Sequence, residues 1–237
     1  MAGFKTHVTV SSLIGVGYGG AAYMMYGVPW PTCLLAGGLC SVSGMLPDID
    51  SDSGRPLQES LAFAAAVVPM MLMHRFRHWG LSPELMILAG AGAYLLIRFG
   101  LGTLLRRYTV HRGMFHSLPA AAIFGELAYL LASGEDWRLR AFTAGAVVLG
   151  YVSHLLLDEL YSVTWSGGRL RLKSSFGTAM KLVGRGWWSN ASAYAKLAIL
   201  TAAILFEPQG LQTPGQPGGP GAVQQTATRL IDRILPR

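Results

Sequence analysis

Long apolar stretches at roughly 10–28, 32–46, 60–73, 84–105, 117–133, 139–157 and 191–206 follow one another with only short polar junctions between them. That pattern leaves little choice of fold. A helix that crosses the hydrocarbon core of a bilayer needs about 20 mostly apolar residues, so the sequence predicts an all-α, polytopic membrane bundle of about six to seven apolar helices. Several stretches are shorter than a full span and are expected to tilt, insert halfway or pack inside the bundle. The balance of 51% hydrophobic to 13% charged residues in 237 agrees with an integral membrane protein.

Helix punctuation falls between the stretches. Pro29 and Pro31 separate the first pair, Pro69 interrupts the third, Ser82-Pro83-Glu84 reads as a helix start, and Ser133-Gly134 reads as a helix end. Glycines at Gly15 to Gly20 and at Gly37-Gly38 suit close helix packing in lipid. No polar linker divides residues 1–206, which read as one membrane domain. Residues 207–237 read as a Pro/Gly/Gln-rich disordered tail with a short amphipathic end at Ala227 to Leu235. Met1 to Thr9 carries no cleavable signal pattern. Cys33 and Cys40 share one helix face inside an apolar run and read as buried free thiols. The net charge of +7 is spread through the loops with no nucleic-acid motif beside it. It fits orientation in the membrane and contact with anionic lipid.

If each stretch crosses once, His7, the LPDIDSD run at Leu46 to Asp52, the HRGMFHS run at His111 to Ser117 and the end of SHLLLDE at Ser153 to Glu159 all lie on one face. The loops of that face carry Lys5, Arg55, Arg106, Arg107, Arg112, Arg169, Arg171, Lys173, Lys181 and Arg185. The opposite loops carry Arg75, Arg77, Arg138 and Arg140. The bias toward basic residues predicts a cytoplasmic motif face.

These junctions hold the chemistry. His154 and Asp158 lie one helical turn apart and project from one face, where they could bind one ion or two adjacent ones, or lock the helix by a buried hydrogen bond. His111 and His116 straddle the helix start signalled by Ser117 and Pro119, with Arg112 between them as a clamp for an anionic oxygen; an interfacial loop touching lipid headgroups is the plainer alternative. Asp48, Asp50 and Asp52 crowd three carboxylates against a helix end, which calls for a cation or protons, whereas a solvated acidic loop would need neither. A calcium loop fails here, because Ser53 stands where a glycine is needed and Arg55 and Pro56 follow. His7 gains weight from sharing the face. His74 and His78 sit in the opposite loop and are set aside, and Arg98 and Glu126 could pair within the membrane.

In its early histidine, LPDID, HRGMFHS and GYVSHLLLDE, in that order, the chain resembles the YdjM-like family of bacterial inner-membrane, metal-dependent hydrolases over roughly residues 1–165. Through that family it distantly resembles zinc-dependent phospholipase C and P1-type nucleases, which are helical and hold clustered zinc through His and Asp. The resemblance implies phosphoester hydrolysis at the bacterial inner membrane. Two departures stand out: Ser51 replaces a histidine common after the Asp-Ile-Asp run, and the Thr-Pro usual after Asp158 is missing.

The expected site is therefore a zinc-like ion or ions held by His7, Asp48, Asp50, His111, His116, His154 and Asp158 at the membrane face. Asp50 or Asp52 would accept a proton from a metal-bound water and Arg112 would stabilise charge on a lipid or lipid-linked phosphate. A metal transporter using the same ligands would need polar groups along the spans, where only Arg98, Glu126 and Lys196 occur. A membrane protein with a purely structural metal would need nothing more than the ligands.

Overall fold

In the computed structural model the described residues are 3–50, 54–104, 114–132, 134, 136–166, 169–172, 180–184 and 186–207. The helices belong to one unit that ends at Leu205; a second begins at Phe206, and of it only Phe206 and Glu207 are described. The fold is all-α: α1 (Phe4–Tyr26), α2 (Trp30–Ser43), a 3-10 turn (Leu46–Asp50), α3 (Arg55–His78), α4 (Pro83–Leu95, running on through a π-helical turn at Leu96–Leu101), α5 (Leu118–Leu131), α6 (Trp137–Leu160) and α7 (Trp187–Leu205). The expected tail lies outside the described residues.

Four helices are long and apolar enough to cross a membrane: Phe4–Tyr26, Arg55–His78, Pro83–Leu104 and Trp137–Leu160. The 14-residue helices α2 and α5 reach only ~21 Å at 1.5 Å per residue, short of a ~30 Å hydrocarbon core, and pack against their longer neighbours. Trp30, Trp79 and Trp137 stand exposed at helix ends away from the motifs, where indole rings mark a membrane interface.

Small residues set the closest packing. The buried stripe of α1 is His7, Ser11, Gly15, Gly19 and Ala22, that of α2 is Cys33, Ala36, Cys40 and Ser43, and α6 joins both. A Cβ on Gly15 would come 2.6 Å from the Gly37 carbonyl, and one on Gly19 would come 2.8 Å from that of Cys33, so glycine is what lets these backbones touch. Cys33 and Cys40 are buried free thiols, as expected. At the other end, Arg75 of α3 donates to the Leu130 carbonyl at 2.5 Å and Arg140 of α6 to that of Tyr129 at 3.2 Å. Carbonyls in the last turn of a helix run short of intrahelical donors, and the guanidinium groups serve two of them, Tyr129 and Leu130.

Two expectations change, and one element is added. Pro69 does not interrupt the third helix, which runs unbroken from Arg55 to His78; a buried membrane helix tolerates proline when neighbouring groups take up the freed carbonyl. Arg98 and Glu126 do not pair: Glu126 accepts a 2.6 Å hydrogen bond from Thr201 of α7, and Arg98 lies over Phe99. After α6 the chain forms a two-stranded antiparallel hairpin, β1 (Val163–Ser166) with β2 (Arg169–Leu172), in register Val163 to Leu172 and Ser166 to Arg169. Its sequence signal is the alternation of the runs at 163–166 and 169–172 with Gly167-Gly168 between them in the sequence.

Candidate metal centre

Four separate segments bring His7, Asp48, His116, His154 and Asp158 to one point. His7 ends the small-residue stripe of α1, so the face that must pack tightly carries its imidazole inward. Asp48 lies on the 3-10 turn that follows α2, where Asp48 N–H bonds the Met45 carbonyl at 3.1 Å. His116 precedes α5, whose N-cap is Ser117, with its hydroxyl accepting from Ala120 N–H at 3.3 Å. His154 and Asp158 sit one turn apart on the buried face of α6.

The contacts fall in a ring. His116 Nε2 is 3.3 Å from Asp48 Oδ1 and 3.8 Å from Asp158 Oδ2, and His154 Nε2 is 3.6 Å from each of the same two oxygens. His7 Nε2 approaches the other oxygen of Asp158, Oδ1, at 3.3 Å, and its ring stacks on His154 with centroids 3.6 Å apart. Tetrahedral zinc with bonds of about 2.0–2.1 Å separates neighbouring donor atoms by ~3.3–3.4 Å, so the spacing suits a shared cation. Two triads have donor atoms within 4.8 Å of one another: His7, His154 and Asp158, and Asp48, His116 and His154.

The chemistry of the donors fits a divalent metal. His154 Nδ1–H donates to the Gly44 carbonyl at 2.7 Å, which fixes the tautomer and turns the Nε2 lone pair into the cluster, the arrangement found behind metal-ligating histidines. Both ring nitrogens of His7 and His116, and Nε2 of His154, are buried without a hydrogen bond. Each such atom costs about 1–3 kcal/mol unless something else satisfies it. His116 Nε2 and Asp48 Oδ1 lie close enough to share a proton or a cation. Burial opposes ionisation of Asp48 and so does Asp158, but contact with His116 and electrostatic attraction toward His154 and His116 outweigh them and hold its carboxyl below the ordinary value. Asp48 therefore carries the negative charge that a cation site needs. Its side chain is 28% exposed while those of His154, Asp158, His7 and His116 are nearly closed off, so the centre opens on the Asp48 side.

Five of the sequence-predicted ligands thus meet. Of Asp50 only the backbone is described, and Asp52, His111 and Arg112 lie outside the described residues. His74 and His78 are exposed on α3, away from the cluster. Two contributors are not legible in the sequence as site residues. Gly44 supplies the carbonyl that aims His154, and a Cβ there would collide with Ser11 Oγ and Cβ. Tyr151 donates its hydroxyl to the Phe115 carbonyl, beside His116. Gly44→Ala is expected to push α1 from the end of α2 and to lower zinc affinity about 10-fold or more, the effect of disturbing an outer-shell partner, measured by competition with a calibrated chelator.

A helical membrane protein with a buried His/Asp cluster fit for a divalent ion is the class that this fold and site define. The model of the YdjM inner membrane protein family matches residues 1–207, and the chain belongs to that family. Searches of curated proteins and of solved structures gave no match.

Proposed function

We propose that the chain is a membrane-bound, metal-dependent hydrolase acting on a phosphoester such as a lipid or lipid-linked phosphate. The observation that carries this reading is the convergence of three imidazoles and two carboxylates from four segments, with His154 pre-aimed by a backbone carbonyl. His116, His154, Asp158 and Asp48 would hold the ion, with zinc favoured by the donor set and with His111 and Asp50 as further ligands of the same junctions. When bound, such an ion supplies a Lewis acid and a water that ionises near neutral pH.

The chain's own groups do the rest. His7, against Asp158 Oδ1, orients that carboxylate and has the reach of a ligand for a second ion. Asp50 or Asp52, on or just beyond the Asp48 turn, would take the water's proton. Arg112 would neutralise charge growing on a phosphate oxygen. The cluster lies near the ends of apolar helices, a depth that would suit a substrate phosphate at headgroup level, and the basic loops of that end argue for the cytoplasmic side of the inner membrane.

A second reading, a structural metal, is favoured by the ring of four donors, which could close around one ion and leave no open position. Purified full-length protein in detergent decides between them when assayed for bound metal and against phospholipid vesicles and generic phosphodiesters. Hydrolysis that stops on chelation and returns with zinc supports the enzyme. Retained metal with no hydrolysis of any substrate supports the structural ion.

A further inference from the structure

Tyr151 links the segments of the cluster without belonging to it. It lies on α6 one turn before His154, its side chain is fully buried, and its hydroxyl donates to the carbonyl of Phe115, the residue before His116. Its ring forms a core cluster with Ala120, Ala121 and Leu155, and Leu46, the first residue of the turn that carries Asp48, packs against that cluster. Phe115 in turn packs against Ile49, Leu57 and Leu61. The helix bearing His154 and Asp158, the loop bearing His116 and the turn bearing Asp48 are thus joined through one side chain.

The loop needs such a tie. Met114 and Phe115 form a turn and His116 a bend, and regular backbone pairing begins only at Ser117, which bridges Lys181. Within the loop, Ser117 Oγ donates to the Met114 carbonyl and Ser117 N–H to the Phe115 carbonyl at 3.0 Å, and Leu118 N–H donates to the Lys181 carbonyl at 3.2 Å. None of these hydrogen bonds reaches α6, which the loop otherwise meets through the His116 ring at Asp158 and His154. We propose that Tyr151 is a positioning residue of the metal centre, setting the distance of His116 from His154 and Asp158 through its hydrogen bond to Phe115. This rests on the metal-site reading above. A ligand displaced by a fraction of an ångström loses its bond geometry, and outer-shell partners of metal ligands are worth about 10–100-fold in affinity.

The molecule contains a matched control. Tyr18 also donates its hydroxyl to a backbone carbonyl, that of Phe142 at 3.1 Å, and stacks on the Phe142 ring, but it lies about three turns along α1 from His7. Tyr18→Phe and Tyr151→Phe remove the same kind of bond and keep the ring.

Wild type, Tyr151→Phe, Tyr18→Phe and His154→Ala would be titrated with zinc against a calibrated chelator, and the absorption spectra of their cobalt-loaded forms compared. Thermal unfolding of the metal-free forms would report fold. Tyr151→Phe is expected to bind zinc about 10–100-fold more weakly with an altered cobalt spectrum, while Tyr18→Phe keeps wild-type affinity and spectrum. Wild-type affinity and spectrum in Tyr151→Phe would overturn the proposal, as would equal weakening in both tyrosine variants. If Tyr151→Phe fails to fold, Phe115→Leu, which disturbs the same loop from its other side, must weaken zinc binding or the proposal falls. If wild type binds no more zinc than His154→Ala, the metal site itself is wrong, a separate outcome.

Discussion

His154→Ala should strip the protein of bound metal, with zinc affinity falling by more than the ~10–100-fold seen when an outer-shell partner is lost. His154 stands in both candidate triads. Its Nε2 faces Asp48 and Asp158 at 3.6 Å each, its Nδ1 is committed to Gly44, and its ring is the platform on which His7 stacks. Alanine removes a donor, leaves the Gly44 carbonyl without its buried partner at a cost of about 1–3 kcal/mol, and frees His7 to turn. Asp158→Asn is the sharper companion, because it keeps the shape while removing the charge between His7, His116 and His154. Both variants should lose metal, and with it any hydrolysis, whereas His74→Ala on the exposed face of α3 should change neither. Metal analysis of the purified variants checks this, and wild-type content in both would remove the cluster from consideration.

Gly150→Ala is expected to be among the most destabilising single-methyl changes in the chain. A Cβ at Gly150 would collide with the Cys40 carbonyl and the Ser43 hydroxyl of α2. The Cys40 carbonyl is backbone and cannot swing aside, so α6 must move away from α2. Overpacking of this kind costs about 1–3 kcal/mol and sometimes more; with backbone on the far side we expect about 3 kcal/mol. The displacement also reaches the centre, since Gly44 at the end of α2 aims His154 on α6, so zinc affinity should fall with stability. Gly17→Ala is the contrast. A Cβ added there would meet nothing within 4 Å, and replacing a helix-interior glycine gains up to about 1 kcal/mol. Thermal unfolding of the two variants in one detergent should move in opposite directions; coincident curves would show that α2 and α6 are not in backbone contact.

Single residues mark where the fold and the site are legible in the chain and where they are not. The helices follow from apolar runs and breakers, and Ser82 and Ser117 cap α4 and α5 as their sequences signal. Pro69 misleads because proline's effect depends on what surrounds the freed carbonyl. The hairpin at Val163 to Leu172 is easily passed over among apolar helices, although Gly167-Gly168 between alternating runs announces it. His7 is easily undervalued in the same way. Ser11, Gly15 and Gly19 continue from it at intervals of four, and such a small-residue stripe faces another helix, which places His7 inside.

Some relations have no signature in sequence. Gly44 and Phe115 act through backbone carbonyls, a group every residue carries, so it is the tertiary fold that makes these two aim His154 and receive Tyr151. The order of residues is enough to specify a helical membrane bundle, the ends at which its polar residues gather, and the residue types a cation would want there, because hydropathy and donor chemistry are properties of single side chains. Which of those residues meet is a matter of three-dimensional packing. His7 and Asp158 lie far apart along the chain and touch only because glycine-lined faces let α1, α2 and α6 approach within backbone contact.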